Sequence, residues 1–501
     1  MPGAPRLVVT LPGRDVATVR TEVTEAQRAG ADIVEFRLDR WSDVEQHRAA
    51  ELFPSPVPVM ATLRSRAEGG EGPDSAEDRA PRLRDLARLP IRWLDLEEDR
   101  DLGLASELPA DRSFLLVLSS HLPGDTSPED LVGRMRRPLP LGAVRKIVLP
   151  ASVGRLLEEV LPAVDAIGTE STVLLTTGAS GPLLRAWSLR RRYPMVYAGP
   201  ARSALGRGAP AVEPSQIPID RLRWYFDSDL GRPIFALLGR PVGHSQSPYL
   251  HSRWMRRLQR HGLYIALEIG SEPEFVESLE PLAEGGLRGA NVTHPWKTTA
   301  LASATRVGKG AEICGAANCL TFRDDEIEAE NTDLAAALRR LGEIRAVGPW
   351  DGRELLVLGA GGSAAATLAA ARELGARASV LARSPAKASA LADRFGARIL
   401  SPAELRPFPM VVHATDVGRS GADPLGLPIE SVVGPGTKLL DWVYSPDDDI
   451  VRQSAESRGA DYEDGWRLLV YQAAASFALW WGVEPEDDEV EATVREGPCA
   501  A

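Results

Sequence analysis

The sequence predicts an α/β protein whose first half is a (β/α)8 barrel and whose second half is a two-part α/β unit that includes a Rossmann domain. Two observations lead to this prediction. Apolar runs with helical patterns between them recur about 25 residues apart over the first 200 positions. Further on, a strand pattern enters the glycine-rich turn of residues 359–362 and continues into a helix pattern, the order typical of dinucleotide-binding folds. The predicted units are 1–228 for the barrel, 229–340 with 465–501 for an α/β domain, and 341–464 for the Rossmann domain.

The eight predicted barrel strands carry β-branched and other apolar residues bounded by turn residues. Eight β-α units in about 200 residues predict a closed barrel, and barrels of this kind keep their chemistry at the carboxyl ends of the strands. The predicted strands cover residues 7–11, 33–39, 57–65, 91–97, 114–121, 144–150, 172–178 and 195–199.

Composition restricts the class of protein. The chain has 501 residues, of which 44% are hydrophobic and 26% charged, as in an ordinary multidomain globular protein. Its net charge of −12 disfavours a nucleic-acid partner, and the absence of about 18 consecutive apolar residues disfavours a membrane partner. The cysteines, Cys314, Cys319 and Cys499, have neither disulfide-framework nor zinc spacing, which predicts a reducing cytoplasm and no metal site.

Charged residues recur where the barrel would keep its chemistry. In GAVRKIVLP (142–150), side chains alternate across the strand, so Lys146 shares a face with Val144 and Val148 while Arg145 points to the other face. A single lysine of this kind is usually explained by a strand edge or by a side chain that reaches water. Polar residues on several strands together favour a site instead; they are Glu35, Arg37, Arg64, Asp95, Glu97, His121 and Lys146.

These residues lie in motifs that resemble the type I 3-dehydroquinate dehydratases over about residues 5–222. The matching pieces are VEFRLD, LRSRAEGG with Glu68, LDLE, SSH, RKI, GASGPLLR and EPSQ. The resemblance implies that Lys146 forms an imine with the ketone of 3-dehydroquinate, that His121 transfers protons, and that Glu35 orients His121. It also implies substrate binding by Arg37, Arg64, Arg185 and Gln216, with Arg64 and Arg185 on the carboxylate.

The chemistry of these residue types agrees with that role. Burial favours the neutral, nucleophilic amine of a lysine, and a protonated imine withdraws electrons from the neighbouring C–H bond. Val212 and Leu184 stand where the family usually has serine, which predicts altered substrate affinity. The stretch from 201 to 231 begins as a predicted mobile lid and ends in a junction near residue 228.

The second half carries a different set of polar motifs. GHSQSP offers Ser245 and Ser247, whose simpler explanation is a helix N-cap, and NVTHPWK offers Thr293 and Lys297. Asn318 lies in GAANCL, and ENTD brings Asp333, which could form an acid–base pair or a plain surface ion pair with Lys297.

The glycine turn has backbone N–H groups at a helix N-terminus, which suits a pyrophosphate, although Ala364 stands in place of the third glycine. Arg383, supported by Lys387, follows the next strand where NAD enzymes usually have an acidic residue, which favours the 2′-phosphate of NADP. The residues predicted to bind the cofactor are Gly359, Ala360, Gly361, Gly362, Ser363, Arg383 and Thr415.

The order of these motifs over residues 233–485 resembles shikimate dehydrogenase. The resemblance implies reduction of 3-dehydroshikimate to shikimate with NADP(H), with Lys297 and Asp333 handling the proton. It implies that the 229–340 and 465–501 segments bind substrate through Ser245, Ser247, Thr293, Asn318, Asp333 and Gln472. Departures from the family pattern lie mostly around the cofactor, at His413, Arg419, Ala382 and Leu334.

The preferred interpretation is a bifunctional lyase and oxidoreductase that catalyses two consecutive steps of the shikimate pathway, because each resemblance raises the probability of the other. Three alternatives stay open. Only the dehydrogenase half is active and the barrel is a binding domain; the second half acts on quinate; or the chain is a ligand-sensing regulator, which would not need both reactive lysines. The sequence assigns no oligomeric state.

Overall fold

Three sheets organise the part of the chain that the structure describes. The computed structural model describes residues 5–108, 112–165, 167–168, 171–201, 211–227, 233–347, 354–415, 428–444 and 450–498. Four features predicted from the sequence lie outside these residues: the junction near 228, most of the predicted lid (202–210), Arg419 and Cys499.

The first sheet is a nearly closed parallel barrel, as predicted. Its order is β7-β6-β5-β4-β3-β2-β1-β8, so β1 pairs with both β2 and β8, and the described residues form no ladder between β7 and β8. All eight predicted strands are confirmed; β3 is shorter than expected at both ends, and it starts late because Pro58 has no N–H to donate to a ladder. The strands are β1 Arg6–Leu11, β2 Ile33–Arg37, β3 Val59–Thr62, β4 Trp93–Glu97, β5 Leu115–His121, β6 Val144–Pro150, β7 Thr172–Thr177 and β8 Met195–Ala198.

Helices surround this barrel, and several begin at a polar cap. The side chains of Asp15, Ser42, Ser75 and Ser127 each accept a hydrogen bond from a backbone N–H of the first turn that follows. The helices are α1 Val16–Arg28, α2 Asp43–His47, α3 Ala76–Leu86, α4 Leu102–Glu107, α5 Pro128–Met135, α6 Val153–Arg155, α7 Leu161–Asp165, α8 Gly181–Trp187 and α9 Ile219–Phe226.

The two faces of the barrel strands have separate apolar clusters. Val8, Met60 and Val173 pack inside the barrel, whereas Leu7 and Val9 pack outward against the helices. Arg145 and Lys146 on β6 follow the same alternation. The outward Arg145 is 1% exposed and donates to the carbonyls of Met135 and Arg137 and to the carboxylate of Glu98 at 3.1 Å.

The second sheet is mixed and has the order β10-β9-β11-β13-β14-β12. β9, β10 and β11 are parallel, and β13 runs antiparallel to β11. Its strands are β9 Ile234–Gly239, β10 Leu263–Glu268, β11 Leu287–Val292, β12 Arg306–Val307, β13 Cys319–Arg323 and β14 Glu326–Glu330, and its helices are α10 Ser247–Arg257, α11 Glu272–Glu284, α12 Lys297–Ala302, α13 Lys309–Cys314 and α14 Thr332–Val347.

The third sheet is parallel throughout and has the order β17-β16-β15-β18-β19-β20, which is the strand order of a Rossmann fold. The strands are β15 Glu354–Leu358, β16 Arg377–Leu381, β17 Arg398–Ile399, β18 Met410–His413, β19 Lys438–Asp441 and β20 Asp461–Glu463. The remaining helices are α15 Gly362–Glu373, α16 Pro385–Phe395, α17 Ile429–Val432, α18 Ile450–Ser457, α19 Trp466–Trp481 and α20 Asp487–Glu496.

The last two helices return to the second sheet. α19 packs against α14 and α10, and Arg253 of α10 donates to Glu489 of α20 at 2.7 Å. The acidic C-terminal segment is therefore a helix docked against α10. α14 runs through positions 340 and 341, so the predicted boundary there falls inside one helix.

The barrel and the second sheet are in direct contact. The Trp224 ring of α9 stacks on His261 with centroids 4.2 Å apart, and its Nε1 donates to the carbonyl of Arg260. On another part of the interface, the N–H of Gly154 donates to Glu274 at 2.8 Å. The two halves therefore share a continuous packed interface.

A search of the described helices for a membrane span finds none that combines the necessary length with the necessary apolar character.

We predict that Arg145→Met destabilises the barrel by roughly 3–5 kcal/mol, because Glu98 would keep a buried charge without its partner. The measurement is the free energy of unfolding, obtained from urea denaturation that is monitored by tryptophan fluorescence. Arg88→Met is the control: Arg88 is 80% exposed in its pair with Asp85, and its loss should change stability by less than about 1 kcal/mol. An equal effect of both changes would contradict the proposed role of the buried pair.

Candidate active sites

A cavity of about 380 Å³ opens at the carboxyl ends of the barrel strands. Parallel strands that end at one rim bring their last side chains together. Among the residues that line the cavity are most of those predicted from sequence in the first half: Glu35, Arg37, Arg64, His121, Lys146, Arg185 and Gln216. Asp95 and Glu97 lie behind this lining and contact it through Arg64.

Lys146 lies inside the barrel with 7% of its side chain exposed, so it neither lies at an edge nor extends into water. Its Nζ is 3.5 Å from Asp95 Oδ2 and 3.8 Å from Glu35 Oε1. It also lies 4.1 Å from the centroid of the Tyr197 ring. Two carboxylates and an aromatic face therefore compensate the charge that burial disfavours.

Arg64 is the most heavily paired cation of the cavity. Its guanidinium contacts Glu68 at 2.9 Å, Asp95 at 3.0 Å and Glu97 at 3.4 Å, and it donates to the Ser119 hydroxyl. Burial opposes its charge, but these carboxylates outweigh burial and raise the pKa of Arg64 above its ordinary value. Arg64 lines the cavity with its charge already compensated by the barrel wall.

His121 is held by Glu68 and not by Glu35, so the expectation that Glu35 orients it is wrong. Glu68 Oε2 lies 3.0 Å from His121 Nδ1 and accepts the backbone N–H of His121 at 3.2 Å. Glu35 instead accepts from the hydroxyls of Thr10 and Thr62, at 2.7 and 2.8 Å. Glu68 can reach His121 because it follows the end of β3, one loop outward from Glu35 on β2.

Burial and the charge of Arg64 lower the pKa of His121 well below its ordinary value, so its imidazole is neutral near pH 7. Burial raises the pKa of Glu68 to about 7, with the charge of Arg64 opposing the rise. With Nδ1 held by Glu68, proton transfer to or from a ligand uses Nε2. The pair of His121 and Glu68 can therefore act as a general base.

Arg185 and Gln216 close the far side of the cavity. Arg185 on α8 is 2% exposed, and Glu213 lies 3.2 Å from its Nη2. Gln216 donates to Thr10 at 3.2 Å, and its Oε1 is buried without a hydrogen-bond partner among the described residues. Val212 also lines the cavity, so the predicted departure from the family pattern lies at the site. Arg37 is held by Asp39 at 2.8 Å.

A second polar cluster lies in the other half, at the carboxyl ends of β9 and β11. Lys297 Nζ is 2.6 Å from Asp333 Oδ2, and Asn318 donates to Asp333 Oδ1 at 2.8 Å. Asp333 is buried and Lys297 half-buried, so this is not a surface ion pair. The amide of Gln472 on α19 joins Asn318 and Thr332 at 3.4–3.5 Å.

Three other residues predicted for this cluster lie on loops beside it. Ser245 and Ser247 have hydroxyls 3.3 Å apart at the start of α10, after β9. Thr293 follows β11 and is half-buried, and its methyl group approaches Gly239 at the end of β9. Hydroxyl, amide, ammonium and carboxylate groups together suit a small polyhydroxylated ligand.

The glycine turn brings the third sheet to this cluster. Gly359 has φ +123°, and a Cβ there would lie 2.4 Å from the Ala414 carbonyl oxygen, so only glycine fits. A Cβ on Gly362 would lie 3.0 Å from Lys297 Cδ. Ala360, Gly361 and Ser363 complete the turn at the N-terminus of α15, where N–H groups can receive a pyrophosphate. A dinucleotide held by this turn would therefore lie beside Lys297.

Comparisons with known proteins find one family model in each half of the chain. The family model for type I 3-dehydroquinase matches residues 7–223, and that for the shikimate dehydrogenase substrate binding domain matches residues 237–320. A shikimate dehydrogenase (NADP(+)) of Acidiphilium cryptum is 38% identical over 263 residues, covering 51% of this chain and 93% of the relative. The chain belongs to the shikimate dehydrogenase family, and its first half is a type I 3-dehydroquinase domain.

Further similarities are found across the same regions. A shikimate dehydrogenase (NADP(+)) of Paracoccus denitrificans is 36% identical over 270 residues, covering 51% of this chain and 93% of the relative. A solved structure of dehydroquinate dehydratase and shikimate dehydrogenase from S. pombe is 22% identical, has a TM-score of 0.44, and covers 98% of each chain.

The dehydrogenase half departs from the family pattern at a buried hydrogen-bonded chain. His413 at the end of β18 is 0% exposed; its Nδ1 lies 2.7 Å from Asp441 and its Nε2 2.6 Å from Thr415. The histidine thus links a carboxylate to a residue predicted to contact the cofactor. Arg383 and Lys387 are exposed beyond β16, where they can meet an anionic group of a bound nucleotide.

Sequence reasoning missed several residues of both sites. Glu68 lies in a quoted motif, four residues after Arg64, and that spacing was the available signal for it. Tyr197 and Thr10 come from distant strands and had no local signal. In the dehydrogenase half, the NVTHPWK motif contains Asn291 but indicates no role for it. Asn291 is buried, accepts from the Tyr264 hydroxyl at 2.9 Å and donates to Ser476 at 2.8 Å, and its amide also lies 3.3 Å from the Asn318 carbonyl.

We predict that Glu68→Gln changes how stability depends on pH. The pKa of Glu68 is raised from 4.5 to about 7, so the stability associated with its protonated form is complete below 4.5 and is lost as pH rises through 7. Glutamine cannot ionise. Relative to the parent, the variant should gain about 3 kcal/mol between pH 4.5 and pH 8, measured by urea denaturation at both pH values. A constant difference would contradict the raised pKa.

Proposed function

We propose that the chain catalyses two consecutive reactions. The barrel dehydrates 3-dehydroquinate to 3-dehydroshikimate, and the dehydrogenase half reduces that product to shikimate with NADPH. The observation that carries the proposal is the convergence of Lys146, His121 and Glu68 on one cavity, in a chain that also holds Lys297 and Asp333 beside a dinucleotide turn.

In the barrel, Lys146 first passes an ammonium proton to the neutral imidazole of His121, and its amine then attacks the substrate ketone. His121 returns that proton to the carbinolamine hydroxyl, which leaves as water as the protonated imine forms. The protonated imine acidifies the adjacent C–H, and His121 Nε2 removes that proton. The same nitrogen then protonates the departing hydroxyl, so a second water leaves. Hydrolysis of the imine consumes one water and frees Lys146, which leaves a net loss of one water.

In the dehydrogenase half, the nicotinamide cofactor supplies hydride when bound. Lys297 donates a hydrogen bond to the ketone oxygen and gives it a proton as the hydroxyl forms. Asp333, at 2.6 Å, holds the Lys297 ammonium in place, and Asn318 fixes Asp333 from its other oxygen. Thr293, Ser245, Ser247 and Gln472 bind the substrate's hydroxyls and carboxylate.

The residues of the third sheet fit NADP(H). A Cβ at Gly359 would collide with backbone, the turn presents N–H groups at a helix N-terminus, and Arg383 and Lys387 lie where a 2′-phosphate needs cations. Cys314 and Cys319 are buried unbridged thiols, which supports a cytoplasmic enzyme.

We predict that the purified chain oxidises NADPH when given 3-dehydroquinate alone, and that Lys146→Ala abolishes this while 3-dehydroshikimate restores it. The measurement is loss of NADPH absorbance. Borohydride should also trap substrate on the parent protein but not on Lys146→Ala, as an added mass on the peptide that contains residue 146. Oxidation from 3-dehydroshikimate only would mean that the barrel is a binding domain.

Lys297→Met is expected to lower kcat for reduction of 3-dehydroshikimate by about 10²–10³-fold, because the ketone loses its proton donor. The dissociation constant for NADPH, measured by fluorescence titration, should stay within about twofold, since the turn at Gly359 is unchanged. Lys309→Met, on the neighbouring α13, is the matched control. A large loss of NADPH affinity with little change in kcat would assign Lys297 to the cofactor instead.

A further inference from the structure

The cations that line the barrel cavity differ in where their partners lie. Arg64 is paired with Asp95 and Glu97, which are buried on β4. Lys146 is close to Asp95 and Glu35, also on strands. These carboxylates belong to the packed wall of the barrel, so a ligand cannot displace them without disturbing the sheet.

Arg185 is different, because the carboxylate beside it comes from outside the barrel wall. Its Nε donates to the carbonyl of Tyr197, and its Nη1 lies 2.9–3.1 Å from the carbonyls of Thr176 and Gly181 and from the Ser215 hydroxyl. The remaining nitrogen, Nη2, is 3.2 Å from Glu213 Oε2. Nη2 is thus the guanidinium nitrogen that a carboxylate occupies, and another carboxylate that approaches it competes with Glu213.

Glu213 is placed so that it can give up that position. It lies in the described stretch 211–218 just before α9, lines the cavity, and keeps 26% of its side chain exposed. Its other contacts are local: the N–H of Ser215 donates to Oε1 at 3.1 Å, and the Ser215 hydroxyl donates to Oε2. Moving the side chain towards solvent breaks no contact of the barrel wall.

Charge gives the reason why the two carboxylates exclude each other. Arg185 is 2% exposed, so two anions beside it repel each other strongly unless further cations offset them. Arg64 holds several carboxylates because Arg79, Arg100 and Lys146 also pair with them, whereas among the described residues Glu213 pairs with Arg185 alone. 3-Dehydroquinate carries a carboxylate, and Arg64 already has three carboxylate partners, of which Asp95 and Glu97 lie in the wall. Arg185 is thus a cation of the cavity that can accept the substrate carboxylate by simple exchange.

We propose that Glu213 occupies the position of the substrate carboxylate on Arg185, so that substrate binding exchanges one carboxylate for the other and Glu213 sets the affinity of the barrel site. This inference rests on the dehydratase function proposed above. In this proposal Glu213 lowers the affinity of the barrel site for its substrate. A residue that only positioned Arg185 would raise that affinity instead.

The test is Glu213→Gln in the full chain, which keeps the size of the side chain and removes its charge. We expect KM for 3-dehydroquinate to fall about tenfold, with kcat within about twofold, because the competing anion is lost and the reacting groups are untouched. Glu159→Gln is the matched control, because Glu159 is 54% exposed in a pair with Arg155. The KM of this variant for 3-dehydroquinate should equal that of the parent.

A binding measurement separates this inference from the dehydratase function. Calorimetric titration of 3-dehydroquinate into Lys146→Ala and into Lys146→Ala with Glu213→Gln needs no turnover, and shikimate at the same saturating concentration in both keeps the second half out of the comparison. About tenfold tighter binding by the double variant supports the proposal even if the parent does not dehydrate. Equal or weaker binding, or no binding by either protein, overturns it.

Discussion

Compensation of buried charge is the constraint on which the barrel site depends. A reactive lysine in a barrel interior is tolerated only with counter-charges close by, because an isolated buried ammonium is strongly disfavoured. Asp95 meets this need for Lys146 and also binds Arg64, so one carboxylate on β4 connects two cations. Glu68 extends the same network to His121. The reacting groups are therefore held by each other, and a change at one alters the electrostatics of all.

The dehydrogenase half meets the same constraint with fewer groups. Lys297 has one carboxylate partner, Asp333, and that carboxylate is fixed by the amide of Asn318. The partial exposure of Lys297 leaves its ammonium accessible to a ketone, whereas Asp333 is buried. Gly362 lies close to Lys297: a Cβ there would be 3.0 Å from Lys297 Cδ, so a larger residue would require the lysine side chain to shift by a few tenths of an ångström.

Local sequence patterns predicted much of the fold and many of the site residues. The eight barrel strands, the strand–turn–helix at Gly359 and the opposite orientation of Arg145 and Lys146 all follow from periodicity and turn chemistry, which act over a few residues. Most of the charged residues expected in the barrel do meet at one cavity, since parallel strands end at a common rim. The ends of β2 and β3 were less well predicted, because ladder pairing decides where a strand stops.

The sequence by itself therefore determined the two folds, their order along the chain and the residue types at both sites. Only the tertiary structure decided which groups are partners. Glu68 and Glu35 are both acids near a strand end, but the turn after β3 brings Glu68 to His121, whereas the strands on either side of β2 bring Thr10 and Thr62 to Glu35. The contact of Glu213 with Arg185 likewise joins residues 28 positions apart. Such pairings depend on distances between separate elements, which no local pattern encodes.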